Sequence, residues 1–287
     1  MKSILFVFIA LVGFSVKPYA QKVDIELPAK QVLLDSSWLL DRALHLRKIA
    51  YLDAGGKKVV LQVLTARLNR RKLRLEAATP DNKDIFARRT VQAEMEAEDT
   101  QGHRVLAGVN ADFFNMKNGT PLGPVIKEGR MLKTGFNGTN AFVGGRKNGR
   151  IIIGDSSIFN TTKNKLREAL GARPLLIKDK HLITQDTGSL STVHHPRTAL
   201  GIKRSGKEVI MVVVDGRQPE YSNGISLTDL SKVMRYLGAD NAVNLDGGGS
   251  STLVVADKDK RGYQILNLPS DKTPRTVANS WILVKTQ

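Results

Sequence analysis

"AVNLDGGGSSTLVV", residues 242–255, sets two apolar runs around a carboxylate, three glycines and two serines. Each apolar run has the length and composition of a buried strand. One glycine is enough to turn a chain. Three in a row let a ligand come close to the backbone and leave N–H groups free to face an anion. A phosphate-binding P-loop needs a Lys before the hydroxyl residue, and here Ser250-Ser251 follow the glycines directly. A dinucleotide turn opens a helix, and here "TLVV" resumes a strand. The remaining reading is a tight turn between two strands that delivers Asp246 into a site. Asn244, Gly247, Gly248, Gly249 and Ser250 stand around it as candidate ligand contacts.

Upstream, "VVVDGRQPEYSNG" (212–224) has the same form: a buried strand ends on Asp215 and Gly216 turns it. Asp-Gly alone is a hairpin signal. Arg217 directly behind it, then Glu220 and Tyr221, make the local chemistry richer than a turn requires. A helix joins the two stretches. Ser226 can cap it with Asp229 three residues on, Leu227, Leu230, Val233, Met234 and Leu237 share one face, and Gly238 ends it. Strand, helix, strand in that order brings Asp215 and Asp246 to the same edge of a sheet, where open α/β sheets form sites.

Strand and turn signals are dense throughout 101–287. "RVLAGVN" (104–110) ends on Asn110 and runs into Asp112, Phe113 and Phe114. Hairpins are expected at Glu128-Gly129, Asn148-Gly149 and Ser205-Gly206. "HHPRTALG" (194–201) opens a strand with Arg197 and Thr198. Residues 21–100 are less distinctive: strands over 57–69 and 72–80, and a polar helix over 88–103 ending near Gly102. No repeat or long linker separates them, so 21–100 is expected to join the same compact unit. The fold class expected is α+β, strand-rich, with mixed sheets and a few packed helices.

The first twenty residues differ. Lys2 precedes an uncharged apolar run from Ile4 to Val16, and Ala20 offers a cleavage point. That run falls short of the roughly 20 residues a membrane span needs. It predicts a signal peptide over 1–20, export to a periplasmic, cell-surface or extracellular location, and no stable membrane insertion once it is removed.

With no cysteine, the chain has no disulfide framework, thiolate nucleophile or Cys-ligated zinc. Five histidines without HExxH spacing, two of them the adjacent His194-His195, argue against a zinc enzyme, and no metal or other cofactor is expected. Ser250 lacks the GxSxG elbow of a triad nucleophile. The formal charge of +17 falls to +15 without Lys2 and Lys17, enough to draw phosphate-bearing ligands. Aromatics make up only 6% and do not interleave with the basic residues, so nucleic acid is not the expected partner.

The ordered series "VNADFF", "TPLG", "GARPLLI", "HPRTALGI", "VDGR", "NLDGGGSS" and "PRTVAN" resembles the phosphodiester glycosidase family over about residues 100–287. The resemblance implies hydrolysis of the bond between a sugar's anomeric carbon and a phosphate oxygen, with a phosphodiester-linked glycan or small sugar phosphodiester as partner. The residues suit that chemistry. Arg197 and Arg217 can clamp a phosphate bidentately. The N–H groups of Gly247–Gly249 and the Ser250 hydroxyl can supplement them. An oxocarbenium-like transition state calls for a carboxylate, as nucleophile or as base for water. Asp246 and Asp215 are the candidates, with Asp246 preferred for its setting. Asn110 and Asp112, with Thr198, Asn244 and Glu220, complete the expected site. The rival reading from another class is a non-catalytic binder of anionic cell-envelope polysaccharide. A P–O-cleaving phosphodiesterase would usually use clustered His and Asp metal ligands, and this chain is poor in histidine.

Overall fold

The computed structural model describes residues 26–69, 71–83, 86–257 and 262–286. The expected export segment at 1–20 lies outside them. In chain order the elements begin with β1 (Gln31–Asp41), β2 (Leu44–Leu52), β3 (Lys58–Arg67), β4 (Leu73–Ala78) and α1 (Val91–Glu98). There follow β5 (His103–Asn110), β6 (Val125–Lys127), β7 (Arg130–Lys133), β8 (Ala141–Arg146), β9 (Ile151–Asp155), α2 (Ser156–Thr162), β10 (Leu166–Ala172), β11 (Leu175–Lys178) and β12 (His181–Leu182). The last part holds α3 (Ser189–Thr192), β13 (Arg197–Lys203), β14 (Glu208–Val214), α4 (Leu227–Tyr236), β15 (Asn241–Asn244), β16 (Leu253–Ala256), β17 (Tyr263–Ile265) and β18 (Ser280–Thr286).

These strands form an eight-stranded sheet, β1-β2-β3-β14-β13-β15-β11-β12, and two five-stranded ones, β7-β6-β10-β8-β9 and β17-β16-β5-β18-β4. The α+β, strand-rich class is as expected. Neighbouring strands are antiparallel in every ladder of the described residues, so the sheets there are antiparallel and not mixed as expected. β14 and β15 both pair antiparallel with the β13 between them, so they run parallel to each other. Their C-terminal ends therefore leave the same edge of the sheet. β3 pairs with β14, with Val63 opposite Val212, and β4 pairs with β18, so residues 31–78 share sheets with the C-terminal two thirds.

β14 reads EVIMVVV because both of its faces are covered. Val209, Met211 and Val213 enter a core shared with Trp281 and Leu283 of β18. Ile210, Val212 and Val214 pack with Leu227, Leu230, Val233 and Met234 of α4 on the other face. Burying such a side chain is worth about 1.5–3 kcal/mol, so both layers hold β14 rigid up to Asp215. Ser226 caps α4 as expected, its Oγ accepting the Asp229 N–H at 3.1 Å, and Gly238 ends the helix at φ +85. Glu128 (φ 52) and Gly129 (φ 82) form the expected two-residue turn, which requires positive φ at both positions.

The first helix is shorter than the sequence suggested. Thr90 caps α1, which stops at Glu98 because Asp99 turns to extended backbone. The Asp99 carboxylate accepts hydrogen bonds from Val105 N, Arg104 and the Tyr263 hydroxyl, anchoring the start of β5 instead.

Candidate active site

Four strand ends meet around Asp246. β5 brings Asn110 and Asp112, β13 begins at Arg197, β15 runs into Asp246, and β16 leaves the glycine turn. Asn110 is fully buried and donates from Nδ2 to the Asp246 carbonyl at 2.6 Å. Its Oδ1 accepts the Thr198 hydroxyl at 2.7 Å and the Thr252 N–H at 3.2 Å. Asn110 and Thr198 thus brace the loop and spend their polar atoms doing so, rather than facing a ligand.

Each of the three glycines has its own steric reason. A Cβ at Gly247 would stand 2.8 Å from the Pro196 carbonyl oxygen. Gly248 has φ +62 and lies under the Arg217 guanidinium, 3.1 Å from where its Cβ would be. A Cβ at Gly249 would fall 2.1 Å from Asp271 Oδ2 and 2.2 Å from Arg275 Nη2, an ion-paired couple that covers this residue. The N–H groups divide differently from the expected phosphate cradle. That of Gly247 donates to Asp246 Oδ1 at 2.9 Å and that of Gly248 to Pro196 O at 2.8 Å, while the Ser250 and Ser251 N–H groups close a 3-10 turn over Gly248–Ser250. Among the described residues the Gly249 N–H has no partner, and the buried Ser250 hydroxyl makes no well-aligned hydrogen bond.

Burial pushes the Asp246 carboxyl up to about 6, against the opposing pull of Ser250, the Gly247 N–H and the Arg275 charge. Asp112 is buried more completely. Its Oδ2 accepts the Gly123 N–H at 2.8 Å, while Oδ1 has no partner. Gly123 and Gly171 leave the room it needs, since a Cβ on Gly171 would come 2.6 Å from Oδ1. Burial raises Asp112 to about 8, with the Asp246 charge adding to the rise and Lys133 opposing it. Two carboxyls in one site are therefore separated in acidity by their surroundings, which suits one to be the acid and one the base.

Arg197 is 3% exposed and has no carboxylate partner. Its Nε donates to Ile225 O at 3.4 Å, and its Nη2 to the carbonyls of Leu190 and Val193, leaving Nη1 without a hydrogen bond among the described residues. Burial and the neighbouring Arg217 charge lower it to about 10, so it stays cationic at neutral pH. Arg217 is exposed, adopts φ +60, and forms no hydrogen bond or ion pair among the described residues. His195 lies in the same positive field. Burial, Arg197, Arg217 and His194 all lower its pKa, and its buried Nδ1 is unpartnered. Two uncompensated guanidiniums, one of them buried, make a site that an anion would complete.

The other expected residues stand apart from this cluster. Asp215 is spent on structure: Oδ1 accepts from Asn267 Nδ2 at 3.0 Å and Leu268 N at 2.9 Å, and Oδ2 from the Tyr221 hydroxyl at 3.2 Å. It reaches the glycine turn through Asn267, whose Nδ2 also donates to Ser251 O. Asn244 donates to Arg173 O at 2.6 Å and keeps an unpartnered, buried Oδ1. Glu220 is exposed, and only its backbone carbonyl is engaged, by Lys58. Among the described residues no group of three or more His, Cys, Asp or Glu side chains is placed to hold a metal ion.

The profile of the family described as "Phosphodiester glycosidase" matches residues 103–284, which contain every one of these elements. The chain belongs to the phosphodiester glycosidase family. It is 31% identical over 163 residues to the mouse N-acetylglucosamine-1-phosphodiester alpha-N-acetylglucosaminidase, covering 51% of this chain and 31% of that protein. The human protein of the same name is 29% identical over 198 residues, covering 63% and 37%. The chain thus spans about a third of the length of these curated relatives. The solved catalytic domain of the zebrafish protein of that name, auto-inhibited by its pro-peptide, shares the fold. Its TM-score is 0.67 at 21% identity, over 86% of this chain and 87% of that one.

Several site residues of this family member were not singled out from sequence. Asp271 and Arg275 seal Gly249, and Asn279 Oδ1 accepts the Asp112 N–H at 2.9 Å. Arg275 and Asn279 sit inside "PRTVAN", and Gly123 and Gly171 inside or beside "TPLG" and "GARPLLI". The motifs contained them, but no spacing rule marked which residue in each would face the site.

Proposed function

We propose that the chain hydrolyses the glycosidic C–O bond of a sugar-1-phosphodiester, releasing free sugar and a phosphomonoester. The observation that carries this is the pairing of buried Arg197 and exposed Arg217, both without a carboxylate, beside the Asp246 turn. In this reading Arg197 Nη1 and Arg217 take the phosphate oxygens, and the Gly249 N–H and Ser250 hydroxyl add donors. Phosphate then departs as a stabilised anion, and the proton demand on the leaving group is small. Asp246 faces the anomeric carbon as positive charge develops there, as nucleophile or as base for water, and a water oxygen takes the place of the departing phosphate on that carbon. Asp112, protonated near neutral pH, donates a hydrogen bond to a sugar hydroxyl or to the departing oxygen. Asn110 and Thr198 hold Asp246 in place.

The test is incubation with UDP-N-acetylglucosamine and with the methyl phosphodiester of α-N-acetylglucosamine 1-phosphate in oxygen-18 water. Label in the released sugar, lost with Asp246→Asn, supports the reading. Label in the phosphate means P–O cleavage, and retained binding without turnover means an anionic-polysaccharide binder. Export belongs to the same proposal, and N-terminal sequencing of protein recovered outside the cytoplasm checks it: a mature start near Gln21 is expected.

A further inference from the structure

We propose a second binding site, for an extended phosphodiester polymer, on the basic face around the β8–β9 turn and away from Asp246. Two short segments build it: "RKNGR" (146–150) and "KNKLR" (163–167). They lie side by side because β8 pairs with β10, Arg146 opposite Leu166, and the Lys147 N–H donates to the Lys165 carbonyl at 3.3 Å. Gly149, at φ +81, closes the turn that presents the first segment. Arg74 of β4 comes in from another sheet, and together with Arg146, Lys147 and Arg167 it lines one pocket.

Two carboxylates lie in this pocket, and both are held internally. Glu76 is bound by Arg74 at 2.7 Å and His103 at 2.8 Å. Glu168 accepts backbone N–H groups from Ala77 and Glu128 and sits 3.2 Å from Arg167. Arg146, Lys147, Arg150 and Lys165, by contrast, have no ion-pair or side-chain hydrogen-bond partner among the described residues. The Arg146 Nε is buried with nothing to donate to. A positive surface whose cations are unpaired and partly desolvated favours a ligand with several negative charges over a single ion.

The face is separate from the candidate active site. Arg167 is the second residue of β10 and Gly171, against Asp112, stands near its end, so four residues of strand place them roughly 13 Å apart. A polymer with a phosphate in each repeat could occupy both. No aromatic side chain lines the pocket, so there is no platform for bases to stack on, and this favours a phosphodiester glycan over single-stranded nucleic acid. The choice of a phosphodiester polymer rests on the function proposed above, but the test reads binding alone, so the two can fail separately.

Fluorescently labelled inorganic polyphosphate is titrated with the full chain across a salt series. Two variants are compared with the parent: the triple Arg146→Gln, Lys147→Gln, Lys165→Gln, and a control triple of equal charge, Lys30→Gln, Arg42→Gln, Lys57→Gln. The patch triple is expected to bind at least tenfold more weakly, with a log–log salt slope shallower by about 2. The control triple should stay within about threefold of the parent. Equal losses in both triples, or none in the patch triple, would overturn the site. Single-stranded DNA of matched charge binding as tightly as polyphosphate would overturn the ligand assignment.

Discussion

Asn110 holds Asp246 by its backbone: the Asn110 Nδ2 donates to the Asp246 carbonyl at 2.6 Å across 136 positions of sequence. The same side chain receives Thr198 and the Thr252 N–H, so one buried amide ties β5, β13 and the start of β16 to the turn. Asn110→Ala leaves a buried carbonyl and a buried N–H unsatisfied, at a cost of about 2–4 kcal/mol. Denaturant unfolding should show that loss, and turnover should fall with it because Asp246 is no longer fixed. An unchanged midpoint would refute the bracing role.

Asp215 and Asp246 should separate cleanly. Asp246→Asn is expected to lower kcat about 10³-fold with the fold intact, since the charge facing the anomeric carbon is lost. Asp215→Asn should keep kcat within tenfold and lower the unfolding midpoint, because its carboxylate binds Asn267, Leu268 and Tyr221. Steady-state kinetics beside thermal unfolding decides it, and a large kcat loss in Asp215→Asn with unchanged stability would return that residue to the chemistry.

The two arginines should respond differently. Arg197→Lys keeps the charge but loses the planar fork, and a drop in kcat of about 10² is expected from the buried position. Arg217→Gln, at an exposed position, should raise KM by roughly tenfold, the scale of one lost charge-assisted contact. Inorganic phosphate as a competitive inhibitor provides an independent reading of both.

The pH profile follows from burial. Asp246 is raised to about 6 and Asp112 to about 8, both from 3.8. Both hold protons in the folded chain that the unfolded chain releases near pH 4. Their contribution to stability is therefore full below that and is lost as pH rises through 6 and then 8. Activity needs Asp246 ionised and Asp112 protonated, so kcat/KM is expected to be bell-shaped with limbs near 6 and 8. Asp112→Asn should flatten the alkaline limb alone.

Gly249→Ala tests the cover over the turn. The new Cβ would meet the far ends of Asp271 and Arg275, so the ion pair is displaced rather than the backbone. Without Arg275 nearby the acid limb should move up, since that charge helps keep Asp246 ionised. Combined with Asp271→Ala, the loss should be less than additive.

The local chain was legible in residue order. Hydrophobic runs marked β14 and β15, Ser226 and Gly238 bounded α4, and paired turn residues marked the hairpins, because each depends on neighbours a few positions away. The glycine turn announced a site, and its motifs announced the family. The division of labour within the site was not legible. Asp215 and Asp246 look alike in sequence, each a carboxylate at a strand end before glycine. Only the fold brings Asn267, Leu268 and Tyr221 against Asp215, and they consume its oxygens. Gly247 and Gly248 look like free donors, yet Asp246 Oδ1 and the Pro196 carbonyl take their N–H groups. Asp271 and Arg275 meet Gly249 from more than twenty residues away. Sequence by itself determined which elements form and which residues carry charge. The tertiary structure alone decided which charges remain unpaired, because that depends on the partners that distant segments bring, and an unpaired buried charge is what creates a binding site.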